Sequence, residues 1–160
     1  MDEIREHALR LLEPRGYSRG ELAQRLASKG YDSGLIEVVV ERLVACGLLD
    51  DVAYARDVAD SIVKRKPASA QLIEEKLIAR QIPSELARQI AAETVADVDP
   101  LEAATRLAMS YGPAASAEAA RRRIGSALAR RGFDADIISA ALERAGLPEP
   151  EESFDQEHGP

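Results

Sequence analysis

The chain has no tryptophan, and aromatic residues make up 4% of its 160 residues although hydrophobic residues make up 46%. A core without large rings has to be filled by Ala, Leu, Ile and Val on closely packed helices, so the composition favours an all-α fold. The only cysteine is Cys46, which excludes an internal disulfide and is typical of a reducing cytosol. Because Cys46 lies in the apolar pattern ending a predicted helix, we expect it to be a small core residue.

Long apolar runs and targeting signals are also missing from the sequence. No stretch approaches the roughly 20 apolar residues that span a bilayer, and no charged segment followed by an apolar run opens the chain. We therefore expect a cytoplasmic protein that makes no membrane contact.

The sequence shows no arrangement of residues typical of a catalytic site, and histidine and cysteine are scarce. The cysteine and carboxylate spacings around the two histidines, His7 and His158, do not resemble a metal-ligand set, and the glycines lie at predicted helix ends rather than in a phosphate-binding loop. Asp50 and Asp51 are adjacent where one predicted helix ends and the next begins, so we interpret them as helix caps rather than metal ligands. We predict no catalytic residues, no metal site and no cofactor, and hence no enzyme.

The sequence does contain one pattern written three times. Seven positions of the first copy recur in the last copy, each shifted by 102: Leu22 and Ile124, Leu26 and Leu128, Gly30 and Gly132, Tyr31 and Phe133, Leu35 and Ile137, Ile36 and Ile138, Val40 and Leu142. A middle copy at an offset of 51 keeps the apolar residues Ile73, Leu77, Ile82, Leu86 and Ala87. Gln81 and Pro83 replace the glycine and aspartate of its corner.

Self-similarity at this period is typical of stacked units that cannot bury their apolar faces alone. We predict an all-α fold of three tandem three-helix repeats stacked into an elongated, curved array. Repeat 1 covers residues 1–50, repeat 2 covers 51–98 and repeat 3 covers 99–148. Residues 149–160 hold 5 acidic and no basic side chains and little apolar surface, so we predict a disordered acidic tail there.

Local signals at the helix ends agree with the repeat. Ser18 and Glu21 form a capping-box pattern before an apolar stripe, Asp32 or Ser33 is placed to cap the next helix, and Asp99 precedes a proline at a first helical position. One apolar face of that next helix is predicted to contain Leu35, Ile36, Val39, Val40 and Leu43.

Repeat 3 carries an unusual number of arginines, five within eleven residues. On a helix at about 100° per residue, Arg122, Arg123 and Arg130 project away from the apolar stripe, while Arg121 and Arg131 flank it and are expected to lay their stems along it. We call Arg122, Arg123 and Arg130 the basic strip. They are candidate contacts for phosphates or acidic side chains of a partner. The alternative is a solvated helix face.

A second basic group, Lys64, Arg65 and Lys66, ends the first predicted helix of repeat 2 just before Pro67. We call it the basic end. Cations in a last helical turn interact favourably with the helix dipole, which explains the group without any ligand. The same projection puts Arg65 on the apolar stripe, where its guanidinium either passes the core or makes a specific contact. The basic end is therefore the second candidate for partner or DNA binding.

Several short motifs resemble the bacterial RecX regulatory family. The most specific are Ser18-Arg19-Gly20-Glu21-Leu22, Lys29-Gly30-Tyr31 and Gly47-Leu48-Leu49-Asp50-Asp51, followed by Tyr54-Ala55, Arg65 and Ala79-Arg80-Gln81-Ile82. Their order over roughly residues 4–147, together with the threefold repeat, carries the resemblance. The chain departs from the family at Pro67-Ala68-Ser69, where a glycine is expected soon after the basic group.

The resemblance implies a non-enzymatic regulator that binds the RecA recombinase filament on DNA. Such a regulator limits filament extension, ATP hydrolysis, coprotease activity and strand exchange in recombination and repair. The implied partner is the RecA filament, with single- or double-stranded DNA phosphates as a further contact, and we expect the protein to act as a monomer. The implied contact residues are the basic end and the basic strip.

Two alternatives remain open at this stage. The first is a helical DNA-binding protein, but the third helices of the repeats lack the Arg, Asn and Gln cluster that reads base edges. Tyr31 and Phe133, which are able to stack on bases, are better explained as packing between helices. The second alternative is a general protein-interaction scaffold, from which only the order of the motifs separates the RecX interpretation.

Overall fold

The computed structural model describes residues 2–148, and this part of the chain is helical throughout apart from its connecting turns. The helices are α1 (Asp2–Leu12), α2 (Arg19–Ser28), α3 (Ser33–Ala45), α4 (Asp51–Arg65), α5 (Ala70–Ile78), α6 (Ser84–Val95), α7 (Pro100–Met109), α8 (Ala117–Arg130) and α9 (Ala135–Arg144). The predicted all-α class is confirmed. The predicted acidic tail, with His158, lies outside the described residues.

The chain divides into two compact units, one ending at Asp97 and the other beginning at Val98. The first unit contains two hydrophobic cores, one formed by α1 to α3 and one formed by α4 to α6. The second unit has a single core, formed by α7 to α9. The main helix packing lies within each of these three sets.

The repeated apolar positions form these cores. Leu22, Ile73 and Ile124, which are 51 residues apart, are all buried, and so are the equivalent leucines one turn later. Burying a side chain of this size contributes about 1.5–3 kcal/mol, so these positions hold each set of helices together.

The three corners share one backbone conformation. Gly30, Gln81 and Gly132, again 51 residues apart, have φ values of 87°, 59° and 81°. Each lies after the second helix of its set and ends that helix in the left-handed region. Gln81 is the only residue other than glycine with a positive φ in the part of the chain that the structure describes. The replacement of glycine at this corner therefore did not change its geometry.

Two predictions about the core are wrong. Cys46 is exposed, because it is the C-cap of α3 and the helix ends before its side chain can turn inward. Leu35 is 39% exposed, because it lies in the first turn of α3, beside the buried stripe of Ile36, Val39 and Leu43.

The predicted caps are largely confirmed. The side chains of Asp32, Asp50 and Asp99 accept hydrogen bonds from backbone N–H groups in the first turns of α3, α4 and α7. Ser18 accepts from the Glu21 N–H, but Glu21 does not complete the capping box, because its carboxylate contacts Arg15 and Tyr54 instead.

Candidate functional site

The basic end lies at the C-terminus of α4, as predicted. Lys64 and Arg65 form the last turn of the helix, Lys66 is its C-cap, and all three are exposed. Arg65 is exposed although Ile62, three residues earlier, is half-buried, so its charged side chain does not enter the core. The group presents three positive charges beside the free carbonyls of a helix end, a geometry that suits an anionic partner as well as the helix dipole.

The basic strip lies on α8, and all three of its arginines are exposed. Arg122 is paired with Glu118 one turn earlier. Arg123 donates to the carbonyl oxygen of Gly112, and its guanidinium carbon lies 5.9 Å from the ring centre of Tyr111. Two of the three arginines therefore have partners within their own unit, and a ligand has to compete with these partners.

The arginines that flank the strip are half-buried, in agreement with the prediction that their stems lie along the apolar stripe. Arg121 donates to the carbonyl oxygen of Leu147, which ties α8 to the segment after α9. Burial lowers the pKa of Arg131, although the side chain remains charged at neutral pH. Both side chains therefore contribute to the packing of this unit rather than to an exposed binding surface.

A polar cluster between the first two repeats was not predicted from the sequence. The hydroxyl of Tyr54, in α4, donates to Glu21 in α2 at 3.1 Å and accepts from Arg80, after α5, at 2.8 Å. Arg15 pairs with the same glutamate at 2.7 Å, and this hydrogen bond raises the pKa of Arg15. One hydroxyl thus connects three segments of the chain.

The start of α2 makes the other contacts of this cluster. Ser18, which is fully buried, donates to the backbone oxygen of Arg80 at 2.6 Å. The backbone N–H of Arg19 donates to Asp51 at 2.8 Å, so this aspartate satisfies a free donor of α2 rather than capping its own helix. We call Ser18, Glu21, Asp51, Tyr54 and Arg80 the junction cluster.

Signals for the junction cluster were present in the sequence. Its members come from the Ser18–Leu22, Asp50–Asp51, Tyr54–Ala55 and Ala79–Ile82 motifs. The motifs were recognised by their order, but local periodicity does not show which distant segments touch, so their mutual contact could not be inferred.

The described residues also bear on the other candidate sites. No group of three or more His, Cys, Asp and Glu side chains in residues 2–148 has the arrangement of a metal site. Nδ1 of His7 lies 3.3 Å from the Tyr31 hydroxyl, and the two rings pack edge to face. Asp50 caps α4 through Val52 and Ala53, as interpreted from the sequence. A separate question is whether any helix could span a membrane. None of the helices described is long and apolar enough to do so.

Together, the helices and their cores define a helical protein built from consecutive three-helix sets, with basic groups exposed on two helices. Residues 5–43 match the family model described as RecX, first three-helix domain. The regulatory protein RecX of Trichlorobacter lovleyi is 32% identical over 141 residues, covering 86% of this chain and 92% of the relative. That of Halorhodospira halophila is 34% identical over 163 residues, covering 99% and 94%. The chain belongs to the RecX family of regulatory proteins.

Solved structures agree at the level of the fold. The crystal structure of RecX from Lactobacillus salivarius has a TM-score of 0.65 at 20% identity and covers 91% of this chain and 96% of its own. Another crystal structure of a regulatory protein RecX has a TM-score of 0.68 at 15% identity, covering 89% and 72%. The fold is therefore preserved where most side chains have changed.

Proposed function

We propose that this protein is a non-enzymatic, monomeric regulator that binds the RecA filament on DNA in the cytoplasm. It limits filament extension and with it ATP hydrolysis, coprotease activity and strand exchange. The observation that carries the proposal is membership of the RecX family along nearly the whole chain, since the Halorhodospira halophila relative aligns with 99% of it.

The distribution of charge supports binding to a filament rather than to free DNA. The chain has a formal net charge of −7, which disfavours long-range attraction to naked nucleic acid. Exposed cations occur on every helix described, but the basic end and the basic strip each group three of them, which suits these groups to acidic side chains of the recombinase or to phosphates already held within the filament.

The surface of α3 supports the same choice. Its exposed residues include Glu37, Val38 and Glu41 and a single cation, Arg42, so the helix lacks the cluster of positively charged and polar donors that a helix in the major groove needs. A helix-turn-helix mode of DNA binding therefore has little support in repeat 1.

The test is a titration of the DNA-dependent ATPase of the recombinase from the same organism, with filament length measured in parallel by electron microscopy. We expect ATP hydrolysis to fall at substoichiometric protein, because a block to extension acts on every later subunit. Filaments of unchanged length and an unchanged rate over a wide range of protein would contradict the proposal. Tight binding to the oligonucleotide alone, at equal affinity without recombinase, would favour the DNA-binding alternative.

A further inference from the structure

We propose that Glu21, Tyr54 and Arg80 are positioning residues, which set the direction in which α4 carries the basic end away from repeat 1. The inference rests on the proposed function, because it concerns how the basic end reaches the filament. It assigns a role to the junction cluster beyond holding the fold together.

The start of α4 is held in place by the contacts of the junction cluster. Asp51, in its first turn, accepts from the backbone of Arg19, and Tyr54, one turn later, contacts Glu21 and Arg80. The basic end is at the opposite terminus of the same helix. A helix rises 1.5 Å per residue, so a tilt of about 10° at Tyr54 would move Arg65 by about 3 Å. That distance is enough to break a hydrogen bond or an ion pair with a partner.

The Tyr54 hydroxyl is suited to fixing an angle. It donates to one charged group and accepts from another, so its hydrogen atom and its lone pair both have assigned directions. Hydrogen bonds to charged groups are shorter and stronger than neutral ones, and Arg15 holds the Glu21 carboxylate from its other side. Apolar burial, in contrast, is non-directional and does not by itself select an angle.

Close backbone packing removes most of the remaining freedom. A Cβ placed on Gly20 would lie 2.7 Å from Cβ and 2.9 Å from the carbonyl oxygen of Gln81. A Cβ on Gly16 would lie 3.0 Å from the ring of Tyr54. The left-handed conformation of Gln81 brings its backbone to this position, so the α5–α6 corner fits against the start of α2 in one register.

The junction cluster connects two cores, and the ring of Tyr54, which Tyr54→Phe retains, packs against the core of α4 to α6. The buried side chains of α1 to α3 and those of α4 to α6 form separate hydrophobic clusters. Glu21 and Tyr54 are half-buried and Arg80 is exposed at the seam between them. Removal of one hydroxyl there leaves both cores filled, so its effect on orientation can be separated from its effect on folding.

The experiment is a double-mutant cycle on binding to the recombinase filament in the full chain. One change is Tyr54→Phe, which deletes only the hydroxyl, and the other is the combined replacement of Lys64, Arg65 and Lys66 by Ala. Distant sites that act independently combine additively. If the hydroxyl positions the basic end, removal of that end weakens binding by a smaller factor in Tyr54→Phe than in the wild type, with a difference of about threefold or more.

Tyr31→Phe is the matched control. It deletes the same atom from a half-buried tyrosine, but this hydroxyl contacts His7 within repeat 1. We expect it to combine additively with the loss of the basic end. Additivity with Tyr54→Phe as well would overturn the positioning role while leaving the proposed function intact. A wild-type protein that does not bind the filament would instead overturn the proposed function.

A measurement without the filament tests the same inference. Spin labels on Cys46 and on an introduced Ala92→Cys report the distance between the first two repeats, since both positions are exposed. We expect a narrow distance distribution that broadens in Tyr54→Phe and stays narrow in Tyr31→Phe, with circular dichroism unchanged in both. Equal widths for all three proteins would contradict the inference.

Discussion

At the scale of single residues, Gly20 lies where the first two repeats pack too closely to leave room for a Cβ atom. In most helices, a change from glycine to alanine is stabilising by about 0.5–1 kcal/mol. Here the added methyl would meet the backbone carbonyl and Cβ of Gln81 below 3.0 Å, and neither atom can move without the chain. We expect Gly20→Ala to lower the free energy of unfolding by about 1–2 kcal/mol, measured by urea denaturation, because overpacking exceeds the gain in helix propensity.

Gly125 provides the matched control, because it is also a helical glycine in a packed surface. A Cβ there would lie 3.6 Å from Leu142 and 3.9 Å from Ile138, which are ordinary contacts. We expect Gly125→Ala to raise the free energy of unfolding by about 0.5–1 kcal/mol. The same sign of change at both glycines would show that the contact with Gln81 does not decide the result at Gly20.

The sequence does not predict the burial or backbone conformation of residues whose surroundings depend on distant segments or on where a helix ends. The burial of Leu22 and Ile124 follows from a local stripe and was predicted correctly. The expectation that Cys46 is buried is wrong, because the apolar stripe alone does not show at which residue α3 ends. The left-handed conformation of Gln81 was also missed, because glutamine has no intrinsic preference for it and only the tertiary packing of the corner supports it.

At the scale of helices, the N-caps allow a direct comparison between two aspartates. Asp50 accepts hydrogen bonds from Val52 and Ala53 at the start of α4. Asp134 precedes α9 in the same way but makes no side-chain cap hydrogen bond. We expect Asp50→Ala to lower the free energy of unfolding by about 1 kcal/mol, because it leaves backbone donors of α4 unsatisfied. Asp134→Ala should change it by less than about 0.5 kcal/mol. Equal losses would argue that general charge, rather than capping, is responsible.

The helices themselves were predictable because each level of the sequence agreed. The apolar period placed α2, α3 and α8, and the Ser18, Asp32 and Asp99 caps placed helix starts to within a residue or two. The junction cluster was not predictable in the same way. The four motifs that contribute to it are separated by up to 62 residues, as between Ser18 and Arg80, and no local pattern encodes that pairing.

At the scale of the whole molecule, the arrangement of charge is more informative than its sum. The net charge of −7 includes 5 acidic residues after Pro148, whereas residues 101–148 carry 7 basic and 5 acidic side chains. Attraction between charges is screened within about 10 Å at 0.1 M salt, so a partner at the surface of α8 responds mainly to the local excess of arginine. An acidic protein is thereby able to offer a basic contact.

The arginines of α8 should differ in how much they contribute to filament binding. Arg122 already pairs with Glu118. An anionic partner has to compete with this glutamate, which reduces the net binding energy that Arg122 contributes. Arg130 is exposed in the last turn, and no ion pair or side-chain hydrogen bond is formed by it among residues 2–148. We expect Arg130→Ala to weaken filament binding more than Arg122→Ala, by a factor of about three, in fluorescence anisotropy. The reverse order would indicate that Glu118 releases its arginine to the partner.

The combined change of Arg122, Arg123 and Arg130 to Ala tests whether the basic strip acts through phosphates. If each arginine neutralises one phosphate of single-stranded DNA in the filament, the slope of log K against log salt becomes shallower by about 2. Binding then weakens most at low salt, while circular dichroism stays unchanged, since all three side chains lie outside the core of the unit. The control removes three other exposed charges, at Arg25, Arg42 and Arg106. An equal change in slope for the control would assign the effect to net charge, and unchanged binding in the first variant would leave the strip a role in solubility alone.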